Sequence, residues 1–116
     1  MATCAGIILL ASHIDNLEQE SMNLLPISVN RNGYGRQIES FCEDVTVCGL
    51  NQPYKAVFIR APIITKVEKD VTVLAHDSKA NPILVQKNNI LGLTFHPELT
   101  DDTRIHEMFI HLIDKI

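Results

Sequence analysis

Ala2-Thr3-Cys4-Ala5-Gly6-Ile7-Ile8-Leu9-Leu10-Ala11 places one cysteine between small residues and sets an unbroken apolar run behind it. Small residues suit a tight strand-to-helix turn, which lifts the central side chain above the end of a parallel sheet. A cysteine so placed lies at a helix N-terminus, where backbone amides and the dipole favour thiolate over thiol. The stretch therefore predicts an α/β fold with Cys4 as a candidate nucleophile. Without context, a cysteine after Ala-Thr is more often a small buried hydrophobe.

Working outward, Phe95-His96-Pro97-Glu98-Leu99 supplies the partners such a thiolate would need for amide chemistry. His96 offers a proton shuttle, and Glu98 two residues on can hold the other imidazole nitrogen. In extended backbone these two positions face the same way, and Pro97 fixes one angle between them. The bland alternative is a strand exit carrying a solvated His-Glu pair.

The 116 residues make one domain at most, with 46% hydrophobic residues and no low-complexity tract, so the chain reads as globular. Ten basic and fourteen acidic residues give a net charge of -4, which argues against a nucleic-acid surface. No apolar run approaches the roughly 20 residues of a membrane helix, and no signal-type core follows a basic start. A cytoplasmic location is the expectation. Cys4, Cys42 and Cys48 match neither a zinc knuckle nor a small disulfide framework, which fits reduced thiols.

Residues 5–11 predict a short helix, and 12–23 a loop or frayed extension. An extended region begins at 24–29 and breaks at Asn30-Arg31-Asn32-Gly33-Tyr34-Gly35, a turn signal. Strands are expected over 38–47, 54–60, 71–76, 83–86 and 90–95, with a turn at 77–82. From Asp101 or Asp102, the residues Ile105, Met108, Phe109, Leu112, Ile113 and Ile116 recur at helical spacing. The two aspartates read as that helix's cap, with Arg104 and Lys115 near solvent. His106 and His111 stand five apart, not on one helix face, so they are not paired ligands; neither they nor His13 and His76 are expected to take part in catalysis.

Four blocks carry a family resemblance: Thr3 to Ala11; Arg31-Asn32-Gly33-Tyr34-Gly35-Arg36-Gln37-Ile38-Glu39-Ser40-Phe41; Val57-Phe58-Ile59-Arg60-Ala61-Pro62; and Phe95 to Thr100. The chain resembles the glutaminase subunit of pyridoxal phosphate synthase from end to end. Class I glutamine amidotransferases in general share the cysteine elbow and the His-x-Glu pair. The arginine blocks narrow the resemblance to this subunit.

That resemblance implies a flavodoxin-like three-layer α/β sandwich, with residues 1–116 forming the C-terminal portion of a single amidotransferase domain. It implies a Cys4-His96-Glu98 triad hydrolysing glutamine to glutamate and ammonia, with the Ala5 amide in the oxyanion hole and Arg31, Ile59 and Arg60 lining the glutamine site. An arginine fork suits an α-carboxylate. The ammonia would pass to the synthase subunit in a hetero-oligomer that builds vitamin B6, and the glutaminase would need no metal or organic cofactor.

Two departures from the family shape further expectations. Its Gly-Gly-Glu-Ser segment, which precedes the elbow and supplies part of the oxyanion hole, is not in this sequence, so the fold is expected to be N-terminally truncated. Loss of one oxyanion donor typically lowers turnover about 10²–10³-fold, so the chain alone is expected to be a poor glutaminase and to aggregate or depend on a partner. Ala2 replaces a usual glycine, and a positive φ there would add strain. Two other function classes stay open: a synthase-docking module without turnover, and another Cys-His-Glu hydrolase of the same architecture, such as a peptidase or a chaperone-like deglycase.

Overall fold

Leu25–Asn30 alternates buried and half-buried residues at every step, and Tyr54–Ile59 keeps nearly the same rhythm, the period-two pattern of strands with one face in the core. The computed structural model describes residues 1–15, 21–31 and 40–114. Its strands are β1 Ala2–Thr3, β2 Ala11–Ile14, β3 Leu25–Asn30, β4 Ser40–Val45, β5 Tyr54–Ile59, β6 Ile63–Val67, β7 Thr72–His76, β8 Pro82–Lys87 and β9 Ile90–Leu93. Its helices are α1 Ala5–Leu10 and α2 Arg104–Asp114, with a 3-10 turn at Pro97–Leu99.

The strands form a four-stranded sheet in the order β1-β9-β8-β7, a three-stranded sheet β2-β3-β6 and a β4-β5 pair. Two pairs run parallel, β1 with β9 and β2 with β3. The others are antiparallel, so the parallel sheet implied by the elbow is confined here to those two pairs. The β1–β9 pair matters most for the site. Ala2 lies opposite Gly92 and Thr3 opposite Leu93, and the Cys4 N–H continues the ladder to the Leu93 carbonyl at 2.9 Å. Cys4 and the segment after β9 consequently leave the sheet side by side.

Two apolar clusters hold these layers. One gathers Tyr54, Phe58, Leu84, Leu93, Phe95 and Ile105 around the β5–β9 region. The other packs Ile7 and Ile8 of α1 against Leu25, Ile27, Val29, Ile64 and Val85. Gly92 leaves room for the second cluster: a Cβ there would stand 3.0 Å from a Leu25 methyl and 3.2 Å from an Ile7 methyl.

Several expectations change. The helix ends at Leu10, and Ala11 turns to extended backbone (φ -62°, ψ 150°). Of the loop or frayed extension expected over 12–23, residues 12–14 instead complete β2, because Ala11 and Ile14 bury themselves beside β3 while Ser12 donates to the Ile27 carbonyl at 3.0 Å; residues 21–23 carry no regular structure, and 16–20 lie outside the described residues. β6 was not anticipated. It pairs with β3, Asn30 opposite Ile63, and buries Ile64. The turn at 77–82 forms as expected, with the Asp77 carboxylate accepting the Lys79 and Asn81 N–H groups, each at 2.9 Å. Of the turn expected at 30–35, residues 32–35 lie outside the described residues, as do 38 and 39 of the strand expected from 38, and Lys115. Arg104 lies near solvent as expected, its side chain 31% exposed, while its guanidinium is held by two carbonyls and a carboxylate.

Candidate active site

Three strand ends converge. Cys4 caps β1, the His96 segment follows β9, and Ile59 and Arg60 end β5. The His96 N–H donates to the Val57 carbonyl of β5 at 2.8 Å, and the Cys4 thiol donates to the Ile59 carbonyl at 3.5 Å. β5 therefore contacts both the expected nucleophile and the expected base.

Cys4 adopts φ 50° and ψ -115°, outside the left-handed helical well as well as the ordinary regions. A non-glycine residue holds such a conformation only when its surroundings enforce it, at a cost on the order of 1–3 kcal/mol. The enforcement is visible: the Cys4 N–H is tied into β9 and its carbonyl accepts the Ile7 N–H at 3.1 Å, the first turn of α1. Gly6 faces Ala2 across this bend, where an added Cβ would lie 3.5 Å from the Ala2 methyl. Ala2 itself is not among the positive-φ residues, so alanine adds no backbone strain there. Arg60 is a second strained residue, with φ 45°.

The expectation of a thiolate-favouring elbow needs correction. Burial pushes the Cys4 thiol above its ordinary value; the Ala5 N–H beside the sulfur opposes this, and the negative charge of Glu98 adds to it. A six-residue helix and one amide do not offset the desolvation of a buried sulfur.

His96 Nδ1 and Glu98 Oε2 lie 2.8 Å apart. An ionised carboxylate only accepts, so Nδ1 carries the bonding proton and Nε2 is the nitrogen left for proton exchange. Burial alone would raise the Glu98 carboxyl, but the His96 hydrogen bond, its own backbone N–H and the charges of His96 and His106 together hold it below the usual carboxylate range. Arg31 follows Asn30, whose register partner is Ile63, so it lies exposed beside the connection running from Arg60 into β6.

The three cysteines are free, and among the described residues no three His, Cys, Asp or Glu side chains gather as metal ligands would. No described helix is long and apolar enough to cross a membrane. What sequence reasoning missed is the support: the Val57 carbonyl on His96, the Ile59 carbonyl on the thiol, and Arg104. Backbone acceptors leave no mark in side-chain identity.

The fold is of the α/β glutamine amidotransferase class. A crystal structure of a glutamine amidotransferase superposes with a TM-score of 0.88 at 45% identity, over 95% of this chain and 58% of that one. The profile of the SNO glutamine amidotransferase family matches residues 1–115, and the chain belongs to that family. Similar curated proteins are the pyridoxal 5'-phosphate synthase subunits PdxT of Fervidobacterium nodosum, 49% identical over 97% of this chain and 59% of that protein, and of Thermotoga petrophila, 50% identical over 97% and 60%. The Bacillus pumilus PdxT is 46% identical over 96% and 56%. The chain spans about three fifths of the length of these relatives.

Proposed function

We propose that this chain carries the triad of a glutaminase, with Cys4 as nucleophile, His96 as proton shuttle and Glu98 as its orienting acid. The observation that carries the reading is the enforced bend at Cys4, joined through the β1–β9 pairing to the 2.8 Å His96–Glu98 pair. Membership of an amidotransferase family supports it.

In this reading His96 Nε2 takes the thiol proton as sulfur bonds to the side-chain amide carbon of glutamine. The Ala5 N–H, already beside the sulfur, donates to the oxyanion. Collapse breaks the C–N bond and His96 protonates the departing ammonia. Water then attacks the thioester, His96 takes its proton, the C–S bond breaks, and glutamate leaves with the thiol restored. Arg31 would pair the substrate α-carboxylate, with Ile59 and Arg60 forming the adjoining wall. No step calls for a metal or organic cofactor.

Residues 1–116 act in this proposal as one amidotransferase domain. The ammonia goes to the synthase subunit of a cytoplasmic hetero-oligomer for pyridoxal phosphate formation, a role supported by the names of the PdxT relatives. A docking role without turnover is the second reading, in which the Cys4 thiol stays bonded to the Ile59 carbonyl.

The test is glutamate release from glutamine by the chain with excess synthase subunit, beside Cys4→Ala and a version lengthened to match the relatives. Turnover that vanishes in Cys4→Ala is expected. Binding to the synthase with no Cys4-dependent turnover in either length would replace the glutaminase reading with the docking one.

A further inference from the structure

The His96–Glu98 pair stands on a short span fastened at one end to β5 and at the other to the residues that lead into it. Upstream, the His96 N–H bonds the Val57 carbonyl, and Phe95 packs between Tyr54 and Phe58 with ring centroids 5.7 and 5.9 Å away. Downstream, the fastening passes through Arg104. Its Nε lies 3.0 and 3.1 Å from the two Asp102 oxygens, and its Nη2 lies 2.7 Å from Oδ2. The same guanidinium donates to the Gln52 carbonyl and the Pro53 carbonyl, each at 2.9 Å, and lies 5.8 Å from the centre of the Tyr54 ring. Asp102 also accepts the Arg104 N–H at 3.1 Å, starting α2.

Gln52 and Pro53 lead directly into Tyr54, the first residue of β5. Residues 96–104 therefore form a bridge across β5, with Val57 under one end and the 52–53 carbonyls under the other. We propose that Arg104 is a positioning residue that closes this bridge and so sets Glu98 against His96. Only a planar fork with five donors can satisfy a carboxylate and two carbonyls on different segments at once; an ammonium can satisfy them only by turns. The inference rests on the triad reading above, and it deepens that reading by naming what fixes the base.

The test compares Arg104→Ala and Arg104→Lys in the full chain, by proton NMR of the His96 Nδ1–H and by glutamine turnover in complex with the synthase subunit. Both variants are expected to shift or broaden the Nδ1–H resonance. Turnover kcat should fall about 10- to 100-fold, the scale of a misplaced catalytic group, with KM for glutamine within about twofold of the parent. A purely structural arginine would lower thermal stability and leave that resonance where it is; this result in a folded variant overturns the proposal. Should Arg104→Ala fail to fold, Asp102→Asn decides by the same signal, since it retains an acceptor for the helix start and loosens the fork. If the parent complex releases no glutamate, the triad reading fails, and the Nδ1–H resonance still decides whether Arg104 sets the pair.

Discussion

Cys4 carries opposing demands. The elbow that exposes it to chemistry also wraps the sulfur in protein, and burial outweighs the one amide favouring charge. An acid raised in the fold keeps its proton to higher pH than a free thiol. Iodoacetamide should accordingly modify the exposed Cys42 and Cys48 before Cys4 at neutral pH, and Cys4 labelling should rise only at more alkaline pH. Peptide mass spectrometry reads all three sites, and urea should abolish the difference. Glu98 titrates in the opposite sense. Its carboxyl is held below the usual range, so its bond to His96 is fully present above the ordinary value of about 4.3 and is lost as pH falls through the lower folded-state value. Glu98→Gln leaves an acceptor of similar shape and removes the charge that fixes the tautomer. Turnover kcat in the active assembly should fall about 10²–10⁴-fold, with KM little changed; an unaltered kcat would show that the pair is only a surface contact.

At the scale of elements, the tightest junction is where α1, β3 and β9 meet at Gly92. Adding one methyl there requires Ile7 and Leu25 to give way by a few tenths of an ångström. Gly92→Ala is expected to cost about 1–3 kcal/mol, the usual range for overpacking, seen as a lower urea midpoint with an unchanged slope. Strands β3, β4, β5, β7, β8 and β9 were legible because β-branched and aromatic residues recur in short runs between turn signals. α2 was legible from its apolar spacing, and the elbow from small residues around Cys4. β2 was hidden because Ser12 and His13 are exposed and only Ala11 and Ile14 mark it as a strand. β6 was hidden because one of its five residues is fully buried, too little for a periodic signal. The triad residues could be read from type and spacing, whereas the direction of the Cys4 shift depends on packing by residues distant in sequence. Arg104 is the surface charge its sequence suggested, but its bonds to Gln52 and Pro53 were hidden because those partners lie on a segment distant in sequence.

Seen whole, the molecule is as compact as its length requires: a radius of gyration of 13.3 Å compares with about 13.4 Å for a folded chain of this size. Its exposed apolar side chains are therefore a property of a packed surface, not of a loose chain. Leu9, Met22 and Leu24 are 48%, 62% and 45% exposed. They are neighbours, since the Met22 N–H donates to the Leu9 carbonyl at 2.6 Å and the Leu24 N–H to the Leu10 carbonyl at 2.9 Å. All three thus stand on α1, the helix that leads out of the Cys4 elbow, or on the segment bonded to its C-terminal end. Exposed apolar surface costs free energy in water and is relieved by contact with another surface. The isolated chain is expected to self-associate as its concentration rises, with sedimentation and thermal midpoint both concentration-dependent. Leu9→Lys with Met22→Lys should suppress this without unfolding the chain, because neither side chain belongs to a buried cluster. Sedimentation as a monomer at all concentrations in the unmodified chain would mean that these side chains are too small a surface to drive association. Loss of folding in the double variant would instead place those side chains in the core.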